Sequence, residues 1–246
     1  MTDAYRFDES STEQAIAYAK IYAGENYSPA METVLKVAFS EKRNLPTFRL
    51  KSSDTILLSG YMKKWVGAYL AGYNNRPSVR TGNCSGTHPD PMAKTILRAR
   101  IPGLEDNLAD KIVAGHSLLM TIENNIGELL EEYLSVKLSP LGWYCCWGST
   151  IDAVDFCKAD GSLLQIKTSD NSENSSSSRV RQGTPIGKWF RRFSRRPGVY
   201  NWESLNRMLG QPGYISEPDF RSFAEKTIAA NPACIYIAAN HLLNRP

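Results

Sequence analysis

Residues 143–169 read WYCCWGSTIDAVDFCKADGSLLQIKTS. Three segments here, WYCCW, STIDAVDF and SLLQIKT, are short and rich in aromatic or β-branched residues, which suit a pleated, half-buried surface. Ala159-Asp160-Gly161, between the last two, carries the turn chemistry of a hairpin. The stretch therefore predicts three antiparallel strands. Gln165 and Lys167 stand two apart and share one face of their strand. Asp155 precedes the turn and lies across from them, so an acid, an amide and a cation converge. Hydrolysis of a phosphodiester asks for such a set. A metal neutralises the phosphate and lowers the pKa of the attacking water, magnesium takes oxygen ligands and keeps several waters, and a cation orients the water. Asp152 is a rival to Asp155, because residues three apart face opposite sides of a strand.

Working outward, the chain before Pro140 reads as helical. Pro29 sits where a first helical turn tolerates it, ahead of AMETVLKVAF. Asp54 is placed to cap TILLSGYMKKWVGAYLAGY. Residues 74–91, NNRPSVRTGNCSGTHPDP, form a long loop dense in Gly, Pro, Ser and Asn. Loops of that length in compact proteins usually carry function or move. From Leu104 to Leu138 the apolar spacing is helical again, with a break expected near Gly115–His116. After the strands, EPDFRSFAEKTIAA predicts a helix and ACIYIAA a buried strand. The fold class that follows is mixed α+β, a mixed sheet flanked by helices with a helical N-terminal half. The division expected is a helical region over residues 1–100, for dimerisation or DNA contact, and a catalytic core over residues 101–246 with a recognition segment at 169–207.

The 246 residues carry a net charge of only +4, so composition alone says little about a polyanionic partner. Distribution says more. Between Arg179 and Arg207 there are eight Lys or Arg and one acid, Glu203, and a basic block in a near-neutral chain suits a surface facing a polyanion. A merely solvated face would look the same from charge alone. The five cysteines are odd in number and show no CxxC spacing, which argues against a zinc cluster or a disulfide framework and suits reduced thiols in a cytoplasm. No apolar run nears the roughly 18 residues of a membrane span, so no membrane partner is expected. His88, His116 and His241 are scattered without ligand spacing. No GxSxG elbow is present.

The pattern VDF…LLQIK resembles the PD-(D/E)xK nucleases, in which an acid is followed at a distance by acid-x-Lys. Gln165 departs from it, since an amide oxygen is a weaker metal ligand than a carboxylate. The resemblance implies Asp155, Gln165 and Lys167 as catalytic residues, Asp155 and Gln165 as ligands of Mg2+, and a helix glutamate in support. Glu128 matches that glutamate, with Glu131 and Glu132 as rivals by helix phase. A narrower likeness spans about residues 78–207. NIGELLEEYL, GWYCCWGSTIDAVDF, LLQIKTSDNSENSSSSRVRQGTPIGKWFRR, and the earlier RTG and HPDPM, resemble the SinI-type restriction endonucleases. That likeness implies cleavage of double-stranded DNA at GGWCC (W being A or T), a homodimer, and a DNA methyltransferase that protects the host.

On this reading the polar loop and basic block touch DNA. Asn171, Ser172, Asn174 and Ser176 meet phosphates or base edges, and Arg179 and Arg181 are candidates for guanine contacts. Lys188, Arg191, Arg192, Arg195 and Arg196 look like phosphate anchors, and Arg80 contributes from the earlier loop. Two other readings suit the same elements: a DNA-binding regulator without catalysis, for which no clear helix-turn-helix is found, and a repair nuclease that senses DNA structure.

Overall fold

The computed structural model describes residues 11–48, 57–83, 89–170 and 186–237. Three helices come first: α1 (Thr12–Ala23), α2 (Pro29–Ser40) and α3 (Leu58–Asn74). Helix α2 starts as its sequence dictates. Ser28 accepts a hydrogen bond from the Met31 amide at 3.2 Å, and Pro29 follows where no donor is needed. Val34, Leu35, Ala38 and Phe39 then bury one face of it. Two further helices follow, α4 (Pro91–Arg100) and α5 (Asp106–Leu138).

The sheet has four strands in the order β1 (Trp143–Cys145), β2 (Phe156–Lys158), β3 (Leu163–Ser169) and β4 (Ile186–Arg192). β1 and β2 pair antiparallel, as do β2 and β3, with Phe156 opposite Leu164. β3 and β4 run parallel, with Gln165 opposite Lys188 and Lys167 opposite Phe190. Helices α6 (Trp202–Leu209) and α7 (Glu217–Ala230) complete the described chain. Helix α2 packs on β1 and β2, while α5 lies along β1 and β3. One apolar core joins residues of α1, α2 and α3 to the sheet and to the C-terminal half of α5, with Trp65, Tyr61, Tyr133, Phe39 and Phe156 its largest fully buried side chains.

The turns between β1 and β2 are set by the N-terminal helices. The Trp65 indole donates to the Thr150 carbonyl at 2.9 Å, and the Asp152 amide donates to the Asn44 carbonyl at 3.0 Å. Gly148 has φ +69, and a Cβ there would stand 2.0 Å from the Ala68 carbonyl oxygen. Only glycine lets α3 approach that closely.

Several expectations are corrected. STIDAVDF is not one strand. Ser149 and Ala153 have positive φ, the chain turns through them, and β2 begins at Phe156. The helix from Asp106 to Leu138 is continuous over 33 residues, because a single glycine costs helix stability without ending the helix. The expected strand ACIYIAA begins instead with a 3-10 turn at Pro232–Cys234, and no strand forms among its described residues. The strand beside β3 comes from IGKWFRR, inside the basic segment. The expected loop 74–91 ends in a helix start, where Asp90 accepts from the Met92 amide at 2.9 Å. Asp54 lies outside the described residues.

Candidate active site

The hairpin register decides which groups meet. The Asp155 amide donates to the Leu164 carbonyl at 3.0 Å, and Asp155 Oδ2 accepts from the Ile166 amide at 2.7 Å. Asp155 is thus held across from the centre of β3. The turn closes beyond it, where Lys158 donates to Ser162 at 2.9 Å. Asp152 is exposed and is not among the residues lining this place.

Asp155 opens onto a cleft of about 250 Å³ with Ile166, Lys167 and Thr168 of β3 and Gly127, Leu130 and Glu131 of α5. Gly127 and Glu131 stand one helical turn apart and face the strand together. Helix α5 passes beside β3 here, where a Cβ added at Gly127 would make ordinary van der Waals contact with the Thr168 methyl at 3.7 Å.

The electrostatics of this cleft are unusual. Burial raises the Asp155 carboxyl from its ordinary 3.8 to about 6, against the opposing pull of the Ile166 amide and the Lys167 ammonium. Burial first, and then the negative charge of Asp155, raise Glu131 from 4.5 to about 7. The Cys145 thiol donates to Glu131 Oε1 at 3.3 Å and pulls the other way. Two carboxylates therefore share a poorly solvated cleft with one lysine. A site of this kind disfavours two negative charges unless a cation joins them. The donor set fits a divalent metal. Among the described residues no group of three His, Cys, Asp or Glu side chains is placed to hold a metal ion; a carboxylate pair suits magnesium, which usually keeps several waters.

The other glutamates of α5 are engaged elsewhere. Glu128 forms an ion pair with Arg80. Glu132 is buried and accepts from the Ser78 amide at 3.0 Å and from its hydroxyl, tying the loop after α3 to the helix. The geometry thus brings Glu131 to Asp155, while Glu128 is placed against Arg80. Gln165 lines a second cleft of about 150 Å³, with Ser169, Asp170, Lys188, Trp189 and Phe190. Alternation along β3 is the reason: Gln165 points away from the face of Ile166 that meets α5. Lys167 lines both clefts.

The basic segment divides by the same alternation. Lys188, Phe190 and Arg192 lie on the Gln165 face, and Lys188 and Arg192 are exposed, as are Arg195 and Arg196. Arg191 points the other way. Its guanidinium donates to both Glu217 oxygens at 2.7 and 2.9 Å, and the residue is 8% exposed. The structure places this expected phosphate anchor in an internal ion pair between β4 and α7. Arg80 is also largely buried, held by Glu128 and Asn125. Asn171, Ser172, Asn174, Ser176, Arg179, Arg181, His88 and His241 lie outside the described residues. His116 is exposed on α5. Nothing in the sequence singles out Cys145 as a partner of Glu131, a contact made across elements. No described helix is long and apolar enough to cross a membrane.

The sequence description of the SinI restriction endonuclease family matches residues 57–230 of this chain. Over 144 residues the chain is 43% identical to the type II restriction enzyme SinI of Salmonella infantis, covering 56% of this chain and 61% of the relative. It is 40% identical to the type II restriction enzyme Eco47I of Escherichia coli over 144 residues, with the same coverage. The matched region thus spans about three fifths of the length of these relatives.

Proposed function

The chain belongs to the SinI restriction endonuclease family, and from that premise we propose that it is a type II restriction endonuclease. It cleaves double-stranded DNA at a short specific site, GGWCC by the family likeness, through metal-dependent phosphodiester hydrolysis. Two copies act together on the near-palindromic site, and a companion methyltransferase protects host DNA.

The observation that carries the chemistry is the shared cleft of Asp155, Glu131 and Lys167. Asp155 and Glu131 are the residues that would hold Mg2+. Bound there, the ion supplies charge neutralisation at the scissile phosphate and a lowered pKa for the attacking water. Lys167 reaches the same cleft from β3 and orients that water near the phosphate. The Ile166 amide fixes Asp155, and the Cys145 thiol fixes Glu131. Leu130 and Ile166 wall the cleft with apolar surface and keep bulk water out. Gln165, Lys188 and Arg192 line the adjoining face, where a DNA backbone leaving the cleft would pass.

The test is to digest one defined plasmid with purified protein and Mg2+, then sequence the ends. Discrete fragments with a common end sequence are expected, and Glu131→Gln and Lys167→Ala should produce none. Fragments at random positions, or intact plasmid under all metals tried, would overturn the reading.

A further inference from the structure

Apart from the two clefts at β3, a polar cavity of about 310 Å³ lies along α5. Thr121, Asn124, Asn125 and Glu128 line it from the helix, and their spacing of three and four residues puts them on one stripe. Glu128 stands three residues before Glu131, a rise of about 4.5 Å along the axis, so the cavity begins one turn from the cleft of Asp155. Residues 80–83 form the facing wall. That wall is pinned in place. Asn231 donates to the Pro77 and Arg80 carbonyls at 2.9 and 2.8 Å, and the Gly82 amide donates to the Ala233 carbonyl at 2.7 Å. A Cβ at Gly82 would stand 2.6 Å from the Cys234 carbonyl oxygen, so only glycine permits this approach.

Arg80 carries the mark of an unfilled site. Its side chain is only 10% exposed and is paired with Glu128. It also donates to the Asn125 side chain and to the Asn75 carbonyl, the latter at 3.4 Å. Its Nε is nonetheless buried without a hydrogen-bond partner, a state that native proteins rarely leave unexplained. The charge of the cavity selects what enters. Arg80 and Glu128 cancel, and the remaining polar groups are mostly amides and hydroxyls, which offer donors and acceptors together. A phosphate would face the Glu128 carboxylate, whose side chain is 40% exposed. The edge of a nucleobase is neutral and sets donors beside acceptors, which an asparagine amide matches two hydrogen bonds at a time.

We propose that this cavity reads one base pair of the DNA held in the adjoining cleft, with Asn124 as a specificity-determining residue. Asn124 is exposed where it lines the cavity, so its amide is free to meet a base edge. Arg80 and Asn125, held to one another, are positioning residues that fix the opposite side, and the spare Nε of Arg80 offers a donor to an acceptor brought in. This inference rests on the nuclease reading and adds where sequence is read: on α5 next to the cleft, outside the segment 169–207 expected from the basic block.

The experiment measures binding by fluorescence anisotropy, with Ca2+ in place of Mg2+ to hold the complex uncut. The probes are a duplex carrying the site found by the plasmid digest and a series in which each base pair of that site is changed in turn. Asn124→Ala is expected to weaken binding to the target by roughly tenfold or more, the scale of one bidentate base contact. The loss should vanish on the duplex changed at one particular base pair, where variant and wild type bind alike. The slope of log affinity against log salt should not move, since no phosphate contact is lost. Helical circular dichroism should be retained, and Glu123→Ala, exposed on the same helix and outside the cavity, should bind as wild type. An equal loss on every duplex would mean a sugar or phosphate contact and would overturn the proposal, as would no loss at all. A wild-type chain that binds every duplex alike overturns the site-specific nuclease reading as well. A wild-type chain that discriminates, beside an Asn124→Ala variant that discriminates equally, overturns this cavity alone.

Discussion

Two acidic centres on the helical side of the sheet solve the same problem in opposite ways. Glu217 sits at the start of α7 with its charge met from inside the protein. Arg191 grips both its oxygens, the Trp202 indole donates to it at 3.0 Å, and Arg221 adds a contact at 3.3 Å. Asp155 and Glu131 have each other, a thiol, one amide and one lysine, and both carboxyls are pushed upward. The first arrangement is finished and holds β4 to α7. The second is unfinished, and an acid pair left without enough positive charge is where the proposed metal would sit.

The largest effect expected from this contrast is on catalysis. Asp155→Asn should lower metal-dependent cleavage by about 10³-fold or more, in the upper range for a positioned polar catalytic group. It should at the same time raise the melting temperature measured at pH 8 without metal. Retained cleavage in Asp155→Asn alongside a dead Asp152→Asn would mean that the hairpin register is read wrongly.

Glu217→Ala should do the reverse. It strands Arg191 in the interior, and breaking a buried pair from one side costs about 3–5 kcal/mol. Denaturant unfolding should show that loss, while cleavage well below the lowered midpoint stays near wild type. A loss of cleavage with unchanged stability would make Glu217 part of the site.

The pH dependence of stability sharpens the same point. Asp155 and Glu131 have folded-state values raised to about 6 and about 7 from ordinary values of 3.8 and 4.5. Their neutral forms favour the fold, so that contribution is fully present below about pH 4 and is lost as pH rises through 6 to 7. Metal-free protein should lose stability across that interval, since each tenfold change in proton affinity between the unfolded and folded chain is worth about 1.4 kcal/mol. Added Mg2+ should restore stability more at pH 8 than at pH 5. Thermal melts at both values with and without Mg2+ check this, and an equal metal effect at both would remove the acid pair as the metal's ligands.

The smallest expected effect separates two neighbouring arginines. Arg192→Ala should weaken binding to target and non-target DNA alike and reduce the slope of log affinity against log salt by about one. Arg191→Ala should act through stability and leave the slope unchanged. Binding isotherms across a salt series distinguish them.

The hairpin was legible because turn chemistry and alternation agree over residues 155–167, and so were the helices with apolar spacing. Other elements were hidden for physical reasons. IGKWFRR reads as a solvated basic run, yet its alternation sends Trp189 and Arg191 inward. An arginine neutralised by a glutamate 26 residues away is invisible to local pattern. Helix α4 carries Met92, Ile96 and Leu97 but buries none of its residues, so it has no core-facing stripe. Glu128, Glu131 and Glu132 look alike along the helix. Which one meets Asp155 depends on how α5 lies against β3. Gln165 stands out over Glu131 in the sequence for the same reason, since spacing along one strand says nothing about what the facing helix brings.

Helix α5 runs unbroken from its exposed first turns to the cleft of Asp155 and Glu131, so it keeps angular phase between them as a keyed shaft would. One residue inserted near Asn124 would turn everything before it by about 100° and advance it by about 1.5 Å. Seven inserted residues make almost two whole turns, so the bearing would return to within about 20° with the first turns about 10 Å further out. The length of this helix, counted in turns, thus sets where its first turns stand relative to the cleft.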